Sequence, residues 1–364
     1  MLKIDGSYHE GGGQILRTAV ALSALTQKPV EIHSIRANRP TPGLKMQHLK
    51  GIEAAAHICN ADTSGLKIGS EKIEFIPKKI TPGSYNIGIE TAGSITLVLQ
   101  TLVPFALSSK EKFVFSILGG TAVAWSPSIF YFNNVFAHYM KEIGIDINTV
   151  INKHGFYPKG GGLVDVEIKQ KELKPLEIDT TTENICNVTS CASDVLRQAK
   201  VCERQLQAFK DHLKGIEIKS PMINHEGYIS HSNFECEIKN IRNEYVSSLS
   251  PGSVLHANIQ RGNVSIGVDV LGKPGLKSEK IGEICAGELK KEFNTGAWMD
   301  KNMGDQFIPY MAFITKKFGE CSVTVSEVTK HLETNIWVVE QFMDMKYEIR
   351  KKDRCWEVGC RKNQ

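Results

Sequence analysis

The opening stretch Asp5-Gly-Ser-Tyr-His-Glu-Gly-Gly-Gly-Gln-Ile-Leu-Arg17 runs three glycines into the apolar segment Ile15 to Leu25. Glycines ahead of a helix leave backbone N–H groups free to face an anion, at the end of the helix where its dipole is positive. Glu10 adds an acid able to hold a metal ion, and Gln14 and Arg17 fall one turn apart on one helical face. A tight turn without a ligand is the competing reading of these residues. In Arg36-Ala-Asn-Arg-Pro-Thr-Pro-Gly-Leu-Lys-Met-Gln-His48, Arg36 and Arg39 flank a proline-stiffened loop, and Lys45, Gln47 and His48 open a helix. Arginine forks match phosphate oxygens two at a time, so this is either a cradle for an acidic substrate or a solvated basic loop.

Gln100 is a single amide in the apolar helix Thr91 to Pro104. A buried amide needs partners, supplied by neighbouring backbone or by a ligand such as a nucleobase. His154-Gly-Phe-Tyr-Pro-Lys-Gly-Gly-Gly162 reads as a hairpin turn with structural glycines. In Cys321 to Phe342 a strand-like alternation leads to an amphipathic helix, for which Thr334 is the expected N-cap. That leaves His331 in the short connection, accessible and beside a helix start. An imidazole there can serve as nucleophile or proton carrier toward a phosphate.

The elements that position these residues alternate between helix and strand. Leu49–Cys59, Val135–Ile147 and Phe209–Ile218 each pair an amphipathic stretch with a following turn or strand, at intervals of about 80 residues, which suggests duplication. Between about Pro175 and Gly275 glycines thin out, and an inserted module is expected there. The expected division is a main domain of 1–178 and 276–364 around a smaller domain of 179–275, with an exposed helix at Val201 to Leu213. With 41% hydrophobic and 23% charged residues the 364-residue chain is ordinary for a globular protein, and a net charge of +4 says little about a nucleic-acid partner. Nine cysteines without a CxxC pair argue against a disulfide scaffold or zinc ribbon. The start lacks an apolar signal core, and apolar runs such as Ile95 to Leu99 are too short to span a bilayer, so a soluble cytoplasmic protein is expected.

Taken together the segments DGSYHEGGGQILR, SIRANRPTPGL, TAGSITLVLQT, HGFYPKGGG, GDQFIPYMA and HLETNIWVVE resemble the RNA 3′-terminal phosphate cyclase family, collinearly and over nearly the whole chain. The resemblance implies an α/β (α+β) fold of repeated βαβαββ-type units in a large discontinuous domain, with a smaller inserted α/β domain. It implies ATP-dependent conversion of an RNA 3′-phosphate to a 2′,3′-cyclic phosphate through a covalent histidine–AMP, with a divalent metal (Mg or Mn) and release of AMP and diphosphate. His331 matches the nucleophile. Gln14, Gln100 and the stretch Asn302, Met303, Gly304, Asp305 and Gln306 match nucleotide-binding positions. Arg17, Arg36, Arg39, Gln47 and His48 match the cluster near the phosphates, and Glu10 the metal-side acid. A homodimer is left open. The sequence departs from the family at Ala122 and Phe130, where aspartates are common, and at Asn302, where an aromatic or histidine is common near adenine. A non-catalytic branch of the superfamily lacks the histidine, and the enolpyruvyl transferases share the architecture without a use for it.

Overall fold

The computed structural model describes residues 1–181, 183–213, 218–223, 229–234 and 237–363. The expected turn joining Phe209–Leu213 to Ile218 lies outside them. The first unit reads β1 (Leu2–Asp5), α1 (Gly13–Thr26), β2 (Val30–His33), α2 (Met46–Ile58), β3 (Asp62–Ser64) and β4 (Ile73–Ile76). The second reads β5 (Ser84–Gly88), α3 (Ile95–Leu102), β6 (Phe113–Gly119), α4 (Ile129–Tyr131), α5 (Ala137–Glu142), β7 (Ile145–Lys153) and β8 (Gly162–Gln170), with a π-helical turn, Phe132–Phe136, joining α4 to α5. Their sheets have the same order, β1-β2-β4-β3 and β5-β6-β8-β7, each with a parallel first pair and antiparallel pairs after it. This is the expected βαβαββ repeat.

The next stretch departs from that plan. It comprises β9 (Ile185–Ser193), α6 (Val201–Leu213), β10 (Ile218–Ile223), β11 (Ile229–Phe234), β12 (Glu237–Val246), β13 (Ser253–Arg261), β14 (Val264–Leu271) and α7 (Ser278–Phe293). Its sheet runs β12-β9-β13-β14. The chain then returns to the repeat with α8 (Lys301–Phe318), β15 (Glu320–Val325), α9 (Lys330–Phe342), β16 (Met345–Lys351) and β17 (Trp356–Lys362), in the sheet order β15-β17-β16. A single parallel bridge from Met299 to Val325 stands where the other units have a first strand.

One large apolar cluster joins the three repeats, from Ile4 and Phe75 through Phe115 and Tyr139 to Phe307 and Val358. A second fills the space between the β12-β9-β13-β14 sheet and its two helices. That cluster takes in Ile281, Cys285, Leu289 and Phe293 of α7, past the limit expected at residue 275, because the apolar stripe of α7 closes on this sheet. The helix expected to be exposed, α6, buries Val201, Cys202, Gln205, Leu206 and Phe209. Its charged residues lie on the outer face only, and Arg204 pairs there with Glu279 of α7 at 2.6 Å. Eight cysteines among the described residues are free and buried. No helix among those residues is long and apolar enough to cross a membrane.

Candidate active site

His331 is carried by α9, and here the structure corrects the sequence reading. The helix starts at Lys330, capped by Thr329, whose hydroxyl accepts the Leu332 N–H at 3.0 Å. Thr334 lies inside the helix with its hydroxyl donating back to the Lys330 carbonyl at 2.6 Å. The apolar rhythm of Leu332, Val339 and Phe342 already begins in the first turn, which is why the earlier threonine is the cap. His331 is therefore in the first turn of the helix, where backbone N–H groups have no intrahelical acceptor and favour an anion.

The imidazole is exposed, with Nδ1 3.8 Å from a Glu10 carboxylate oxygen. Partial burial lowers its pKa below the usual histidine value; Glu10 opposes this, and Arg17 and Arg39 add to it. A neutral ring at neutral pH is the form with a lone pair to offer. The same Glu10 oxygen accepts a hydrogen bond from Arg39 at 3.3 Å.

The first helix docks on α9 through paired polar groups. Gln14 donates from Nε2 to the His331 carbonyl at 2.8 Å, and its buried Oε1 has no partner among the described residues. Thr18 donates to Asn335 Oδ1 at 2.7 Å, and Asn335 donates to the Asp305 carbonyl at 2.5 Å. Gln100 is half-buried and donates to Gln306 Oε1 at 2.7 Å, so its partner is a side chain of α8. These residues converge on a cleft of about 720 Å³ lined by Gln14, Arg17, Gln100, Asn302, Asp305, Gln306 and His331. The half-buried Arg17 side chain makes no hydrogen bond or ion pair among the described residues, and burial pulls its pKa down to about 10. A desolvated cation without a counter-charge is costly unless a ligand supplies one.

The remaining expected residues sit differently. Met303 is fully buried in the main core, and Gly304 is pressed so closely on Val325 that an added Cβ would lie 2.7 Å from it. Neither offers a side chain to the cleft. Arg36 is buried, with Nη1 donating to the carbonyls of Thr41 and Gly43 at 2.7 and 2.9 Å, so it fastens its own loop. Gln47 accepts the Ser94 N–H at 3.3 Å. His48 is buried, its Nδ1 accepts the Lys45 N–H at 3.2 Å, and burial beside Arg17, Arg36 and Lys45 lowers its pKa to about 3. It is neutral and packs behind the glycine loop. A Cβ on Gly13 would lie 2.1 Å from His48 Nε2. Gly13→Ala is accordingly expected to cost about 1–3 kcal/mol of stability through overpacking, read as a lowered urea midpoint at unchanged slope.

Three residues at or beside the cleft stand outside the expected site set. Trp125, at the cleft wall with φ +60°, is 99% exposed. Asp300 caps α8 by accepting the N–H groups of Asn302 and Met303, each at 3.0 Å, and also accepts the Tyr131 hydroxyl at 2.6 Å. Asn335 lies four residues after His331, a spacing that would have shown it on the same helical face had the cap been placed at Thr329. Of the departures, Phe130 stacks on the rings of His154 and His256.

Asp305 illustrates how this site bears on stability. Burial raises its pKa to about 8, with Asp300, Glu327 and Glu10 adding to the effect and the Thr329 hydroxyl opposing it. The folded state therefore holds a proton that the unfolded chain has lost above its ordinary value of about 3.9. Stability contributed here is present below that value and falls as pH rises toward about 8. Asp305→Asn, which keeps the acceptor for Thr329, should flatten the decline by up to about 1.4 kcal/mol per pH unit across that window. Chemical denaturation of both proteins between pH 5 and about 8 checks it.

The repeated α/β units frame a cleft that holds an accessible helix-borne histidine and an arginine whose side chain has no partner among the described residues. The family model described as RNA 3′-terminal phosphate cyclase matches residues 8–349. The chain is 43% identical over 359 residues to the RNA 3′-terminal phosphate cyclase of Methanosarcina barkeri, covering 99% of both chains. It is 42% identical over 350 residues to that of Pyrococcus abyssi, covering 96% of this chain and 95% of the other, and 41% identical over 358 residues to that of Methanopyrus kandleri, at 97% and 96%. The chain belongs to the RNA 3′-terminal phosphate cyclase family.

Proposed function

We propose that this protein uses ATP to convert an RNA 3′-terminal phosphate to a 2′,3′-cyclic phosphate, with His331 as the nucleophile. The observation that carries the reading is an accessible imidazole in the first turn of α9, in one cleft with the Arg17 side chain. Nδ1 faces Glu10, which leaves Nε2 for attack. Nε2 forms a bond to the α-phosphorus of ATP as the bond to diphosphate breaks. An oxygen of the RNA 3′-phosphate then displaces the imidazole, giving an RNA–adenylate anhydride. The neighbouring 2′-hydroxyl attacks the 3′-phosphorus, AMP leaves with the electron pair of the anhydride bond, and the hydroxyl proton passes to the freed imidazole or to water. A phosphate monoester is a poor electrophile until one of its oxygens is made a good leaving group, and the covalent step divides that task in two.

Arg17 and the N–H groups at the start of α9 supply charge for the phosphates, and the Gln100–Gln306 pair supplies amides for the adenine. For a divalent ion Glu10 is the side chain at hand. Magnesium is commonly held by one or two carboxylates together with substrate phosphates, so a single acid fits. Such an ion would neutralise phosphate charge. The one group of three metal-type ligands among the described residues, His154, Cys191 and Glu244, includes a thiol and an imidazole and does not line this cleft. Free buried thiols suit a cytoplasmic setting.

Incubation with ATP labelled at the α-phosphate, followed by denaturation, tests the covalent step. A bound label that survives base and is released by mild acid marks a phosphorus–nitrogen bond. A label mapped to any residue other than His331 overturns the assignment. Arg39 touches Glu10 at the rim and is assigned to the RNA phosphate. Arg39→Ala should therefore slow transfer to RNA by about 10- to 100-fold while slowing self-labelling much less. Equal losses in the two half-reactions would refute that division.

A further inference from the structure

A second cleft, also of about 720 Å³, lies between the inserted sheet and the second repeat. Strand alternation explains its chemistry. One face of the sheet carries Cys186, Val188, Leu255, Ala257 and Ile259 onto α6 and α7. The other face carries the intervening residues, and the register sets Asn240, Asn187 and Asn258 side by side across β12, β9 and β13. Arg242 and Thr189 form the next row. Opposite them stand Asn133 and Asn134 of the π-helical turn, a distortion that often marks functional sites.

Two buried acceptors at this cleft, the Oδ1 atoms of Asn133 and Asn258, have no partner among the described residues, and Asn258 is only 2% exposed. Leaving such oxygens unsatisfied costs free energy that an arriving donor removes. Lys141, Lys171 and Arg242 line the cleft with one acid, Asp146, which Lys171 already neutralises at 2.6 Å. Arg242 has only a long contact of 3.8 Å, to Glu244, and stays largely exposed. Adjacent amides that can both donate and accept, with cations beside them, match the edges of unstacked bases and the phosphates between them. The segment Ile129–Phe136 forms a wall of both clefts: Tyr131 and Phe136 line the catalytic one, and Asn133 and Asn134 line this one.

We infer that this amide-lined cleft binds bases of single-stranded RNA lying 5′ of the reacting end, an inference that rests on the proposed action on RNA. The test pairs wild type with the double variant Asn240→Ala, Arg242→Ala, whose positions are exposed on the edge strand β12. Affinity for a long single-stranded RNA ending in a 3′-hydroxyl is measured without ATP, so the readout does not depend on the chemistry. The variant should bind this RNA about tenfold more weakly, with the salt dependence reduced by about one phosphate contact. Labelling of His331 by ATP and cyclisation of a dinucleotide 3′-phosphate should stay at wild-type levels. Thiouridine placed a few nucleotides from the 3′ end should crosslink to β7 or β12. Unchanged affinity for the long RNA, crosslinks confined to other elements, or equal protection of the cleft by a free mononucleotide would overturn the inference. Absence of histidine labelling in wild type would instead count against the proposed function, and is scored separately.

Discussion

Replacing His331 with alanine is expected to abolish covalent labelling by ATP, with a fall of about 10⁴-fold or more in RNA cyclisation, by analogy with the removal of other catalytic nucleophiles. The magnitude follows from losing the atom that forms the bond, since water cannot deliver AMP to RNA. The fold should be unaffected for a local reason. The imidazole is exposed, the cap of α9 is Thr329, and the bond from Gln14 is received by the His331 backbone carbonyl, which alanine retains. Unfolding curves that coincide with wild type, together with loss of label, are the expected pair of results. A variant labelled at the wild-type rate, or one slowed only tenfold, would remove His331 from the reaction.

Arg17→Ala is expected to slow labelling by about 10² to 10³, the usual cost of removing one preorganised donor from a developing charge. The same change should leave the ligand-free protein at least as stable as wild type. Burial opposes the charged form of Arg17 and no partner among the described residues compensates, so deletion relieves a burden that substrate normally lifts. Thermal unfolding with and without diphosphate separates the two roles. Wild type should be stabilised by diphosphate and the variant should not. Arg17→Lys should recover little of the rate, because a point charge lacks the planar fork that spans two phosphate oxygens. If Arg17→Ala instead destabilises the free protein and leaves labelling intact, the residue is structural.

Much of this architecture was legible because it is local. The βαβαββ units show as amphipathic periods separated by glycine and proline, and the glycine run ahead of Ile15 does mark the start of a helix. What the sequence hid depends on partners distant in the chain. Spacing does not reveal that the Nη1 of Arg36 bonds to its own loop carbonyls, or that the His48 ring is buried against Gly13. Composition shifts at about residue 275, whereas the packing of α7 against the β12-β9-β13-β14 sheet is side-chain detail that composition does not record. The start of α9 was set one turn late because two threonines compete for the cap. The apolar rhythm favours the earlier one, and Asp305, 24 residues away, adds a partner for the Thr329 hydroxyl that local sequence does not reveal. The amide row of the second cleft needed strand register, which places Asn240 beside Asn187 although 53 residues separate them.

If ATP drives closure of an RNA 3′-phosphate through His331, the terminal phosphate itself records it. An RNA carrying a labelled 3′-phosphate is incubated with the protein, ATP and magnesium, then treated with phosphatase. The expected result is an end that resists phosphatase, appears only with ATP, is accompanied by one AMP and one diphosphate per end, and is absent with His331→Ala. A folded wild-type protein that leaves the phosphate fully sensitive, or a His331→Ala variant that protects it at the wild-type rate, would rule out ATP-driven closure through His331.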